Sequence, residues 1–181
     1  RKTPLRPFKR PDPAKLKVLT QKSPVVEYLT NVRKLSAASI KAFKVGQIEA
    51  AGGRGWAITF PMYNPAGELI NVKYCALERD ERGKKKTWQE SEAEPGLFGW
   101  QALDPNTRTV IITEGEIDCI TLHQYGFPAL SVPEGAGPGQ KQAWIEASWE
   151  YLQRFDDIIL CFDRETDPSL AAMVQATRTE I

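Results

Sequence analysis

Apolar and polar residues change rhythm twice along this chain. From Val45 to Trp88 they follow the period of two expected of strands. Trp56-Ala57-Ile58-Thr59-Phe60-Pro61-Met62 and the run Leu69 to Ala76 flank Asn64-Pro65-Ala66-Gly67, a sequence suited to a tight turn. The pattern therefore predicts an antiparallel hairpin, with a third strand near Lys85-Lys86-Thr87-Trp88. Upstream, Pro24 followed by Val25, Val26, Tyr28 and Leu29 opens a short helix. Ser36 precedes a second, Ala37 to Phe43, with Leu35, Ile40 and Phe43 facing inward. Residues 1–23 carry Pro4, Pro7, Pro11 and Pro13 among basic side chains and read as an extended arm or linker.

After the turn sequence Asp104-Pro105-Asn106, short apolar runs alternate with helical patterns. The expected order is strand 109–113, helix 116–125, strand 129–132, helix 139–153 and strand 157–162, with a last helix from Pro168 to Ile181. Strands separated by helices point to an α/β fold with a parallel sheet, right-handed crossovers and helices on both faces. Two of its strands, read as buried, end in acids. Val110-Ile111-Ile112-Thr113 runs into Glu114-Gly115-Glu116-Ile117-Asp118, and Ile158-Ile159-Leu160-Cys161-Phe162 runs into Asp163-Arg164-Glu165. The step from Glu114 to Asp118 is one helical turn, so both carboxylates can face the same way at a strand's carboxyl end. An open α/β sheet places its ligand there. Acids gathered in one place repel unless a cation neutralises them, and all-oxygen ligands favour magnesium. Taken singly, these acids also suit helix starts and strand-end turns.

Three stretches of the second half, in order, resemble one family: Thr113-Glu114-Gly115-Glu116-Ile117-Asp118, then Gly126-Phe127-Pro128-Ala129-Leu130-Ser131-Val132-Pro133-Glu134-Gly135-Ala136, then Ile158 to Asp163. They are similar to the Toprim domain of phage primase–helicases and of Twinkle helicases. Ile58 to Asn64, Val72-Lys73-Tyr74 and Gly96-Leu97-Phe98-Gly99 resemble the smaller subdomain that precedes Toprim in the same primases. The resemblance implies a Rossmann-like Toprim domain, mainly parallel sheet with flanking helices, at 104–181, after an α+β subdomain at 24–103. It implies DNA-templated RNA primer synthesis, a nucleotidyl transfer dependent on magnesium (or manganese). Glu114 and Asp118 would be the catalytic acids, and Glu114, Asp163 and Glu165 the metal ligands. Lys73, Lys86, Arg79, Gly135 and Lys141 would face nucleotide or DNA. The family has Asp-x-Asp where this chain has Asp163-Arg164-Glu165-Thr166-Asp167-Pro168. That departure keeps open a catalytically inactive Toprim that binds single-stranded DNA and supports a helicase, and a Toprim nuclease comes behind both. The implied partners are single-stranded DNA, ribonucleoside triphosphates and a helicase fused downstream. The implied compartment is a phage-infected or prophage-bearing bacterial cytoplasm ahead of a mitochondrion.

Charge adds one point. Net charge is only +1, but residues 1–44 hold twelve Lys or Arg against Asp12 and Glu27. The asymmetry suggests a basic arm or face for phosphates joined to an acidic half. Cys75, Cys119 and Cys161 are far apart and His123 stands alone, so no zinc site is spelled out, and buried free thiols are expected. Arg82-Gly83-Lys84-Lys85-Lys86 reads as a basic loop, and Phe98 and Trp100 suit an interdomain core better than base stacking. The glycine-rich Pro133–Gly139 segment lacks the Gly-Lys-Ser/Thr ending of an ATPase loop. No apolar run reaches membrane-spanning length.

Overall fold

In the computed structural model the described residues are 7–19, 22–49, 55–135 and 139–163. The tail predicted helical from Pro168, and with it Glu165, lies outside them. Ser23 caps α1 (Pro24–Glu27) by accepting from the Val26 amide, and a π-helical turn (Tyr28–Val32) continues it. Ser36 caps α2 (Ala37–Ala42) in the same way through Ser39.

The alternating region forms four antiparallel strands in the order β1 (Gly46–Glu49), β2 (Trp56–Tyr63), β3 (Leu69–Arg79) and β4 (Lys85–Gln89). The predicted turn closes the β2–β3 hairpin: the Gly67 amide donates to the Asn64 carbonyl at 2.9 Å, with Gly67 at φ 83°. Ile58, Phe60, Met62 and Ile70 bury one face of this sheet together with Val25 and Leu29. Leu69, Val72 and Tyr74 face the other way, where Leu16 of the arm packs on them.

The arm is therefore docked rather than solvated. Lys9 and Arg10 pair with Glu92, Glu68 and Glu94, and the Gln47 amide donates to the Lys17 carbonyl at 3.1 Å. The strap thus spans the sheet from the segment after β4 to the β1 edge, where Val18 pairs with Gly46.

The second half builds a parallel sheet in the order β6-β5-β7, from β5 (Thr109–Thr113), β6 (Ala129–Ser131) and β7 (Asp157–Cys161). α3 (Glu116–Gln124) joins β5 to β6 and α4 (Ala143–Leu152) joins β6 to β7. The two helices pack on opposite faces, as right-handed crossovers require. Helix 139–153 starts as a 3₁₀ turn, Gly139–Gln142.

Two expectations are corrected. β5 is central and buried, but among the described residues β7 is the last strand on its side of the sheet; Ile159 is 50% exposed, and only alternate residues of β7 pack inward. Cys161, on that outward register, is an exposed thiol, whereas Cys119 is buried.

Phe98 and Trp100 are core residues, and Phe98 stacks on Phe43 at 5.3 Å. One apolar cluster joins Val25, Phe60 and Phe98 to Cys119, Ile120 and Ala129, so the two sheets share a core across α3. α3 contributes Ile117, Cys119, Ile120 and Leu122 to that shared cluster.

Candidate acidic site at the strand tips

β5 delivers Glu114 and β7 delivers Asp163 because the two strands are hydrogen-bonded neighbours in parallel register, Thr113 opposite Cys161. The Asp163 amide donates to Glu114 Oε2 at 3.1 Å. The tips of β5 and β7 therefore touch through this one bond.

Thr113, 1% exposed, fixes the turn between β5 and α3 by donating its hydroxyl to the carbonyls of Gly115 and Leu130. Gly115 is needed there for space: a Cβ on it would lie 2.6 Å from Asp118 Oδ2. Asp118 therefore folds back over the start of its own helix, toward Glu114. Burial pushes the Asp118 carboxyl above its ordinary pKa, and the Asp163 and Glu114 charges add to that, while Arg33 opposes it.

Glu116 points the other way and is buried. It accepts from Lys73 Nζ at 2.7 Å, an ion pair with side chains 7% and 12% exposed. Burial raises the Glu116 pKa and Lys73 holds it down. Lys73 thus reaches α3 of the second half, where its charge meets Glu116.

The other sequence-derived positions divide. Tyr74 faces Trp88, their rings stacked 5.2 Å apart, so strand alternation puts Lys86 with Trp88 on the outer face. Lys85, Thr87 and Gln89 share the inner face with Lys73 and Cys75, and Lys85 lies over the Tyr28 ring at 4.1 Å. Arg79 is exposed and donates to the Gly83 carbonyl within its own hairpin. Gly135 and Lys141 follow β6, and Lys141 lines a cleft of about 800 Å³ with Asn71, Gln89 and Glu134. Gln89 closes one side of it by donating to the Pro133 carbonyl at 3.1 Å.

One basic residue near the acids was missed, Arg33. It was not legible because only tertiary docking brings it near: Gln124 on α3 accepts from the Ser36 amide at 2.6 Å and donates to the Lys34 carbonyl at 3.1 Å.

Among the described residues no three acid, imidazole or thiol groups form a closed metal cage. The donor set is nevertheless all oxygen, and Asp118 stands among like charges. That chemistry fits magnesium held through one or two carboxylates and its own waters.

Comparison with known proteins agrees with this geometry. The family model described as Toprim-like matches residues 111–175. That stretch is Toprim-like. The chain is 36% identical over 61 residues to the DNA helicase/primase of Enterobacteria phage T3, covering 32% of this chain and 10% of that protein. It is 37% identical over 75 residues to a Twinkle homolog protein, chloroplastic/mitochondrial, of Arabidopsis thaliana, 41% of this chain and 10% of that one. The match thus spans a tenth of each curated relative.

The fold around the Toprim-like domain is similar to the primase fragment of the bacteriophage T7 primase-helicase protein. The TM-score is 0.57 at 22% identity, over 92% of this chain and 67% of that one. It is also similar to the RNA polymerase domain of Mycobacterium tuberculosis primase DnaG, with a TM-score of 0.63 at 19% identity over 84% and 63%. The chain has the primase Toprim fold, an antiparallel sheet packed beside a parallel one. Among the described residues no helix is long and apolar enough to cross a membrane.

Proposed function

We propose that this chain is the primer-synthesising part of a primase–helicase, joining ribonucleotides on a single-stranded DNA template. The observation that carries the reading is the meeting of Glu114 and Asp163 at neighbouring strand tips, with Asp118 one helical turn away. Magnesium (or manganese) bound there would neutralise triphosphate oxygens and make a primer 3′-hydroxyl easier to deprotonate. Glu114, Asp163 and Glu165 would hold it.

Glu114 is also placed to accept that proton, being half-buried at the turn and aimed across β7. Asp118 keeps the local charge negative enough to retain a cation. Arg33 supplies positive charge beside the acids, Lys73 is engaged by Glu116, Lys86 and Arg79 lie on exposed surfaces where they would meet template phosphates, and the Gly135 backbone and Lys141 flank the adjoining cleft. The division into an α+β part at 24–103 and a Toprim part at 104–181 follows this split of basic and acidic elements. The names of the phage T3 and Arabidopsis relatives support a fused helicase as partner, in a phage-infected bacterial cytoplasm ahead of a mitochondrion.

The experiment is primer synthesis on single-stranded DNA with ribonucleotides, with and without magnesium. Glu114→Ala is expected to abolish products while DNA binding persists; undiminished synthesis by that variant refutes the assignment. A second reading has one observation in its favour: Asp163-Arg164-Glu165-Thr166-Asp167-Pro168 departs from the family's Asp-x-Asp. On it, the chain binds single-stranded DNA and supports a helicase without catalysis, and the same assay yields no primers from the unaltered protein.

A further inference from the structure

Where the arm meets α1 and α2 there is a cavity of about 650 Å³, and none of its lining residues belongs to the parallel sheet. Its walls are aliphatic: Leu16 and Leu19 from the arm, Val26 from α1, Ile40 from α2, and Val45 before β1. The volume falls within the roughly 300–1,000 Å³ typical of small-molecule sites.

Charge around it has one sign. Lys17, Lys41 and Lys44 line the cavity, no acid does, and among the described residues none of the three forms an ion pair. Lys44 follows α2 in a left-handed conformation, φ 53°, which sets its ammonium 4.1 Å above the Tyr63 ring. Thr59, also a lining residue, is 1% exposed, and its hydroxyl has no hydrogen-bond partner among the described residues. A buried hydroxyl without a partner is costly to keep, and a bound oxyanion or its water would satisfy it. Bases would not find a platform here, since the one aromatic lining residue, Tyr63, already has Lys44 over its ring.

We propose that this cavity binds a small amphipathic anion, an aliphatic body of roughly ten carbons ending in a carboxylate or similar oxyanion. The aliphatic part lies between the arm and α2, and the charged end meets Lys44 and Lys41.

Decanoate below its micelle concentration, titrated calorimetrically into the whole chain, is the test. Decanol is the uncharged control and anionic phosphatidylglycerol vesicles are the lipid-surface control. Decanoate is expected to bind saturably at one site, and decanol about tenfold more weakly or worse. Ala37→Trp, at an exposed lining position, is expected to abolish binding by filling the mouth. Lys44→Glu is expected to weaken it about tenfold or more, and it decides the question if Ala37→Trp does not fold. Absence of saturable decanoate binding overturns the proposal. So do equal affinity for decanol, unchanged affinity in both variants, or binding to vesicles alone.

Discussion

Lys73→Met tests whether the buried ion pair couples the two sheets. Two unit charges at 2.7 Å attract by about 6 kcal/mol when the effective dielectric constant is about 20. Withdrawing both from water costs several kcal/mol per ion, so the intact pair adds little beyond what apolar side chains would. Removing one partner is different. Glu116 is buried by α3 itself, and without the ammonium its charge has no compensating cation, which costs roughly 3–5 kcal/mol. Urea unfolding at neutral pH of the starting protein, Lys73→Met, Glu116→Leu and the double variant closes a mutant cycle. Lys73→Met is expected to lose roughly 3–5 kcal/mol, and the double variant to return to within about 1 kcal/mol of the start or above it. A loss below about 1 kcal/mol in Lys73→Met, or a double variant no better than that single one, refutes the argument.

Three other outcomes follow from local geometry. Gly115→Ala must push the Asp118 carboxylate aside, because the new Cβ would sit 2.6 Å from Oδ2 while φ −118° suits any residue; the magnesium needed for half-maximal primer synthesis is expected to rise about tenfold or more, with an almost unchanged melting temperature. Burial beside Phe43, ring centroids 5.0 Å apart, lowers the His123 pKa below its ordinary 6.5. The folded state therefore disfavours the charged imidazole: the stability is fully present above 6.5 and is lost as pH falls through the lowered value, a slope that His123→Phe should remove from urea midpoints. Gly46→Ala would place a Cβ 2.4 Å from the Lys17 carbonyl, so the arm should leave the β1 edge and trypsin should cut at Lys17 faster than in the unaltered chain.

The strand tips were legible because local rules and tertiary structure agree there. An apolar run ending in Glu114-Gly115, with Asp118 one turn later, has few ways to fold. The β2–β3 hairpin was legible for the same reason, its turn chemistry matching its alternation. What escaped depended on contacts distant in sequence. The arm's prolines and bases describe a solvated linker equally well, until Glu68, Glu92 and Glu94 come within reach. β7 reads as buried because Ile158-Ile159-Leu160 is uniformly apolar, and only the fold reveals that Ile159 and Cys161 are exposed on it. Arg33 reaches the acids through Gln124, a pairing with no sequence signal.

The backbone bridge between Phe98 and Ser131, two reciprocal bonds of 2.9 Å, has a mechanical consequence. It stitches the connecting segment to the outer rim of β6, so a hinge at 104–106 has no slack to open. Heating is expected to melt both lobes in one calorimetric transition, and proteolytic scission at Asn106 to leave the fragments associated.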